Sequence, residues 1–131
     1  MSMKSLEDLE RAFDRGLNAW ESEIVAAHAK KMGKKVVREV KRETKVVTGN
    51  LRRRWDSRVE KEDGGVNIIV ENDAEYAEPV NNGHRVVRGG RTVGYAEGRH
   101  MLEKGISAYQ GTYMRDDLQG MVDDLGKKMR G

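Results

Sequence analysis

Cysteine is absent from this chain, which removes disulfides and thiolate metal ligands and fits folding in a reducing compartment. Proline occurs once, at Pro79, so helices elsewhere meet no proline break. Aromatic residues make up 5% and apolar residues 37% of the 131 positions. The core is therefore small for the surface around it, and self-association would supply missing burial. No apolar run approaches the roughly 20 residues that cross a bilayer. The N-terminal Met1-Ser-Met-Lys-Ser-Leu-Glu-Asp8 holds no hydrophobic signal core. Neither membrane insertion nor secretion is expected.

Chemistry is also sparse. His28, His84 and His100 stand apart, at no metal-ligand spacing. His100 with Glu97 is the one carboxylate–imidazole pairing to consider. Gly94-Tyr-Ala-Glu-Gly98 lacks the lysine and hydroxyl of a phosphate loop. The acid pairs Asp116-Asp117 and Asp123-Asp124 read as a solvated helix face. No serine sits in a nucleophile-elbow sequence. No catalytic, cofactor or metal residue is assigned, and no enzyme is expected.

What the chain has is charge, at 36% of positions with a net +3, unevenly spread. From Lys30 to Lys61 thirteen Lys or Arg face four acids, a local excess of nine. Such a block steers a protein towards phosphate or an acidic protein face. No helix-turn-helix, RRM or zinc-finger pattern accompanies it. The alternative function is accordingly a small basic nucleic-acid-binding protein using the Lys30–Lys61 block.

Periodicity predicts an α+β domain over 1–131: a helical segment at 1–47, a sheet at 50–96 and a helical segment at 98–130. Ser5 and Asp8 form a capping-box pattern. Leu6, Leu9, Phe13, Leu17, Trp20, Ile24 and Ala27 then recur at helical spacing, and Val36 and Val40 resume it. One helix to about Thr44 would be roughly 60 Å long, so it either bends near Gly33 or projects onto a neighbouring subunit. Trp20 is assigned to core or subunit interface. Thr48-Gly49-Asn50 makes a turn. A strand from Leu51 puts Leu51, Trp55 and Val59 on the core side, with Arg52, Arg54 and Arg58 on the exposed side.

Lys61–Gly65 turns into a second strand at Val66–Val70, giving the first antiparallel hairpin. Glu75–Val80 is expected to form a tight helical turn with Tyr76 and Val80 inward. Arg85–Arg88 and Arg91–Tyr95 flank Gly89-Gly90, a second hairpin whose tip carries Arg85, Arg88 and Arg91. The C-terminal helix changes phase beside Gly111, as one kinked helix or two. Gly105, Gly111 and Gly120 each cost a helix about 1 kcal/mol, so close packing or bending is expected there.

In order and spacing these pieces resemble a known family. The pieces are Thr48-Gly-Asn-Leu-Arg52 closing a basic helix, a strand pair, Ala74-Glu-Tyr-Ala77 before Asn82-Gly-His-Arg85, and Gly98-Arg-His-Met-Leu102 opening the last helix. The resemblance is to the tail-component family of tailed bacteriophages, the gene-product-ten-like tail-completion or neck proteins. It covers about residues 40 to 110, and nearly the whole chain with the helical ends added. It implies a non-enzymatic virion protein, made in the host cytoplasm and placed at the head–tail junction as a homo-oligomeric ring. The implied partners are the head-connector and the tail-tube or tail-terminator proteins, with non-specific contact to DNA in the channel. Arg52, Arg54, Arg58 and Trp20 would then meet a subunit or partner. Arg85, Arg88, Gly89, Gly90 and Arg91 would face the channel or a neighbouring ring. Gly49, Asn50, Leu51, Trp55 and Tyr76 would serve structure.

Overall fold

The computed structural model describes residues 3–44, 49–88 and 91–130, with backbone alone for 83–88, 91–97 and 129–130. Ser5 opens helix α1 (Leu6–Arg15) by the predicted box. Its hydroxyl accepts from the Asp8 N–H at 3.3 Å, and the Asp8 carboxylate accepts from the Ser5 N–H at 3.2 Å.

The long helix expected to run to Thr44 is two helices. Gly16, at φ +89, ends α1, and Asn18 caps α2 (Ala19–Glu43). The Asn18 side chain accepts from the Glu21 N–H at 2.9 Å, and the Glu21 carboxylate accepts from the Asn18 N–H at 3.1 Å. That second capping box sets a new helical phase, so the apolar stripe counted straight through Gly16 slips. Val25, Ala29, Met32, Val36 and Val40 face the core, while Trp20 is 41% exposed. The break expected near Gly33 thus lies at 16–18. Gly33 instead lets a hairpin approach: a Cβ there would stand 2.9 Å from Ser57 Oγ and 3.1 Å from Ile68 Cγ2.

The strand expected from Leu51 starts later. Gly49, at φ +79, a conformation glycine reaches without the Cβ clash of other residues, is the N-cap of a short helix, α3 (Asn50–Arg53). The Arg53 N–H donates to the Gly49 carbonyl at 3.1 Å. Strand β1 (Trp55–Glu62) pairs antiparallel with β2 (Gly65–Asn72), from Trp55↔Asn72 to Glu62↔Gly65. Asp63-Gly64 is the turn, with Gly64 at φ +76. The Gly64 carbonyl accepts from the Leu17 N–H at 3.0 Å, tying the hairpin tip to the α1–α2 elbow.

Helix α4 (Ala77–Asn82) buries Ala77 and Asn81, one turn apart. Tyr76 was expected inward and is 41% exposed, because it precedes the face that Ala77 and Asn81 define. Its hydroxyl accepts from Asn50 Nδ2 at 2.7 Å. Strands β3 (Gly83–Arg88) and β4 (Arg91–Glu97) pair as a second, separate two-stranded sheet, so the two hairpins do not share one sheet. Helices α5 (Met101–Thr112) and α6 (Met114–Arg130) meet at Tyr113. The Tyr113 N–H still donates to the Tyr109 carbonyl at 2.8 Å, and the Tyr113 carbonyl accepts from the Asp117 N–H at 3.0 Å. The ladder continues across the phase change, which makes the C-terminal segment a kinked pair.

Helix α2 is the central packing element, meeting β1, β2, α5 and α6. Met3, Leu9, Val25, Val40, Trp55, Met101, Val122 and Leu125 lie in one core cluster. Two polar pairs stitch α2 to α6 at heptad spacing: His28 Nε2 to Asp124 Oδ2 at 2.9 Å, and Lys35 Nζ to Asp117 Oδ1 at 2.6 Å. The buried Tyr109 hydroxyl donates to the other Asp117 oxygen at 2.7 Å, and burial pushes its pKa above the usual phenol range.

Asn81 joins α4 to α5. Its Oδ1 accepts from the Leu102 N–H at 3.1 Å, and its Nδ2 donates to Glu103 Oε1 at 3.0 Å. His100, the residue before α5, sits at φ +51 and makes no side-chain cap, so Asn81 supplies one from outside. Asn81→Ala is expected to cost about 1 kcal/mol by urea unfolding, the usual cost of a lost N-cap.

Two caps also set the acid limb of stability. The Lys4 backbone N–H, then the Arg11 guanidinium, hold the Asp8 carboxyl down at about 2. The Arg15 guanidinium holds the buried Glu21 carboxyl below its usual range, contacting it at 2.9 and 2.6 Å. Both folded-state values are depressed, so the contribution is present above the unfolded carboxylate pKa near 4. It is lost as pH falls through the folded values. Urea midpoints should fall from about pH 4.5 towards about pH 2, and both Asp8→Asn and Glu21→Gln should flatten that slope.

Candidate interaction surfaces

The arginines grouped on one strand face do not share one. Arg52 lies in α3, Arg54 caps its end, and only Arg58 is on β1, because the helical turn replaces the first residues of the expected strand. All three are exposed. Arg54 Nη1 meets Asp73 Oδ1 at 3.1 Å, and its Nε donates to Asn50 Oδ1 at 3.1 Å. Arg58 pairs with Glu60 and, at 3.0 Å, with Glu71. These contacts are solvent-exposed, and ordinary exposed pairs contribute about 0–1 kcal/mol each. A partner could exchange them at little cost.

Lys41, Arg53 and Arg54 line an open cleft of about 570 Å³ walled by Trp55. Asp56, Glu71 and Asp73 line the same cleft. Mixed signs do not favour a phosphate over a carboxylate. The basic block is likewise offset within the chain. Lys35 pairs with Asp117, Arg38 and Arg42 with Glu39, and Lys61 with Glu23. Lys30, Lys31 and Lys34 form the exposed cationic edge of α2.

A second, apolar surface was missed in the sequence. Helices α1, α2 and α6 and strand β2 enclose an open groove of about 480 Å³. Met32, Met114, Leu118, Met121 and Ile68 form its floor and walls, Phe13 stands 36% exposed on its edge, and Glu10 and Asp14 add acid to the rim. Methionine gives such a surface unusual freedom to repack. The signal was available: Met114, Leu118 and Met121 sit on one stripe of α6. The groove exists, however, only because the Gly16 elbow folds α1 back beside them.

The β3–β4 ribbon packs, outside its own strands, chiefly on α4. Its register sets Arg85 opposite Tyr95 and Arg88 opposite Arg91. Gly89 and Gly90 lie outside the described residues, as does Thr48, and so do the side chains of Arg85, Arg88, Arg91 and His84.

No group of three His, Asp or Glu among the described residues could hold a metal. His100 Nδ1 stands 3.8 Å from Glu103 Oε2, and the side chain of Glu97, the partner expected for it, lies outside the described residues. No described helix is long and apolar enough to cross a membrane. The family model described as the bacteriophage HK97-gp10 tail-component matches residues 4–83, and the chain belongs to this HK97-gp10-like family. It is thus a tail-related structural protein of the virion. No curated protein and no solved structure matches the chain. The matched span takes in α1 through α4 and both walls of the α1–α2 elbow, and ends at the first residue of β3.

Proposed function

We propose that this protein completes the tail, or joins it to the head at the neck, of a long-tailed double-stranded DNA phage, as a non-enzymatic ring of identical subunits. The family match over residues 4–83 carries the reading. The small core and the exposed Phe13 and Trp20 support it, since both leave burial to be gained between subunits. In this role Arg52, Arg54, Arg58 and Trp20 contact an adjacent subunit or a partner ring of head-connector, tail-tube or tail-terminator protein. The β3–β4 ribbon faces the channel or a neighbouring ring, and any contact with channel DNA there is non-specific and salt-dependent.

The decisive experiment is a nonsense mutation in the coding sequence, with electron microscopy of the lysate. Accumulation of separate heads and tails, or of tails of irregular length, is expected, together with recovery of the wild-type protein in purified particles. Normal infectious particles lacking the protein would overturn the reading. A gel-shift titration at two salt concentrations addresses the nucleic-acid alternative. The ion pairs that offset the basic block predict weak binding, and sub-micromolar, salt-steep binding by the monomer would favour that alternative.

A further inference from the structure

Three large apolar side chains stand exposed among the described residues: Phe13, Trp20 and Tyr76. Tyr76 is tied to Asn50 through its hydroxyl, and Phe13 edges the methionine groove. Trp20, at the start of α2, lines no part of that groove. Its neighbours along the helix give it a distinct surface. Ala27, Lys30, Lys31 and Lys34 are also exposed, and at 3.6 residues per turn they fall on one side of α2 with Trp20. Val25, Ala29 and Met32, which line the groove, lie on the roughly opposite side. One copy therefore cannot turn this strip into its own groove.

The groove is selective in charge. Its described lining is apolar apart from Glu10 and Asp14, both exposed and one helical turn apart on α1. Lys30 and Lys34 repeat that one-turn spacing on α2. Among the described residues no ion pair takes up any of these four. Groove against groove would set Glu10 and Asp14 against their own counterparts, and like charges opposed across an interface are unfavourable. A basic strip with an aromatic at one end is the complementary occupant.

We infer that the Trp20–Lys34 strip of α2 in one subunit docks in the acid-edged apolar groove of a second copy of the same chain. Trp20 enters the floor, where Met32, Met114 and Met121 repack around it, while Lys30 and Lys34 pair with Glu10 and Asp14. Trp20 to Lys30 is about 15 Å of helix and Leu6 to Asp14 about 12 Å, so the lysine stems span the remainder to the acids. A tryptophan anchor in a desolvated pocket, edged by polar contacts, is the arrangement in which a few residues carry most of the binding. Strip and groove are different surfaces, so the contact is heterologous and propagates from copy to copy, closing into a ring when the rotation allows. The inference rests on the subunit-ring reading above and gives Trp20 its seat.

Because the chain has no cysteine, two full-length single variants can be paired by oxidation. Ala27→Cys on the strip and Phe13→Cys at the groove edge, one carrying a mass tag, are mixed and oxidised. Mixed disulfide dimers are expected to exceed either homodimer at least tenfold. A random mixture, or an excess of Phe13→Cys homodimers, overturns the docking. In light scattering at rising concentration, Trp20→Ala should weaken self-association at least tenfold, and so should Glu10→Lys with Asp14→Lys. Lys30→Glu with Lys34→Glu, added to the acid-reversed chain, should restore it. All the substituted side chains are exposed, and circular dichroism checks that the fold is kept. Self-association indifferent to Trp20→Ala or to the acid reversal, no recovery on the second reversal, or a wild-type chain that stays monomeric throughout, overturns the inference. The tail-component reading is judged separately, by recovery of wild-type protein in particles. Acid-reversed protein that still enters particles would remove this interface and leave that reading standing.

Discussion

Trp55→Ala is expected to destabilise the protein by about 3–5 kcal/mol, the range for removing a large aromatic side chain from a core. Trp55 is 5% exposed and sits where β1 begins, at the point where the α2 terminus, α3 and the hairpin meet. Its indole N–H donates to Thr44 Oγ1 at 2.9 Å, and the Thr44 hydroxyl donates onward to the Val40 carbonyl at 2.7 Å. Alanine would remove the apolar contact and leave the buried Thr44 oxygen without its donor, two losses that act in the same direction. Trp55→Phe keeps most of the volume and loses the hydrogen bond, so it should fall well short of the alanine effect. Urea unfolding followed by circular dichroism makes the measurement independent of the indole signal. Trp20→Ala is the internal contrast. At 41% exposure it should shift folding stability by less than about 0.5 kcal/mol. An effect of Trp20→Ala that appears only on assembly would place that residue at a subunit contact.

The contrast between the two tryptophans shows how far the sequence could be read. Local signals with a fixed spacing were legible. Ser5 with Asp8 predicted the first cap, and Gly64 beside Gly65 predicted the first hairpin, because those residues determine the conformation of their own neighbours. The helical stripe was legible in kind and failed in phase. The stripe counted from Leu6 to Ala27 runs straight across Gly16, although Asn18 and Glu21 beyond it carry the pattern of a new cap. That one elbow decides that Trp20 faces solvent and that α1 folds back to make the groove. The Arg52–Arg58 face failed for a related reason. Alternating parity fits a strand, but Gly49 in the left-handed region starts a helical turn that propensity does not reveal. Asn81 was invisible because its role depends on α5, some twenty residues away, arriving with an uncapped first turn. The groove needed four elements in place and could not be read from any one of them.

The close approach of α2 and α5 yields a prediction whose sign depends on which of two effects is larger. Gly105 is buried in α5, where alanine would ordinarily stabilise a helix by about 1 kcal/mol. A Cβ at Gly105 would, however, stand 2.5 Å from Val40 Cα and 2.7 Å from Val40 N, inside backbone that no rotamer change can move. Relieving that overlap means pushing α5 away from α2 along the main helical contact of the core. Overpacking of this kind costs about 1–3 kcal/mol and sometimes more. With the offset of propensity included, Gly105→Ala should be net destabilising by up to about 2 kcal/mol, and Gly105→Val by more, since its branched side chain meets the same wall. Gly111 and Gly120 were grouped with Gly105 as positions of close packing or bending, and the structure separates them: a Cβ at either meets nothing within 4 Å. Gly111→Ala and Gly120→Ala should therefore each stabilise by about 0.5–1 kcal/mol through helix propensity alone. All four variants belong in one urea series. Stabilisation by Gly105→Ala comparable to that by Gly111→Ala would show that α2 and α5 do not meet backbone to backbone in solution.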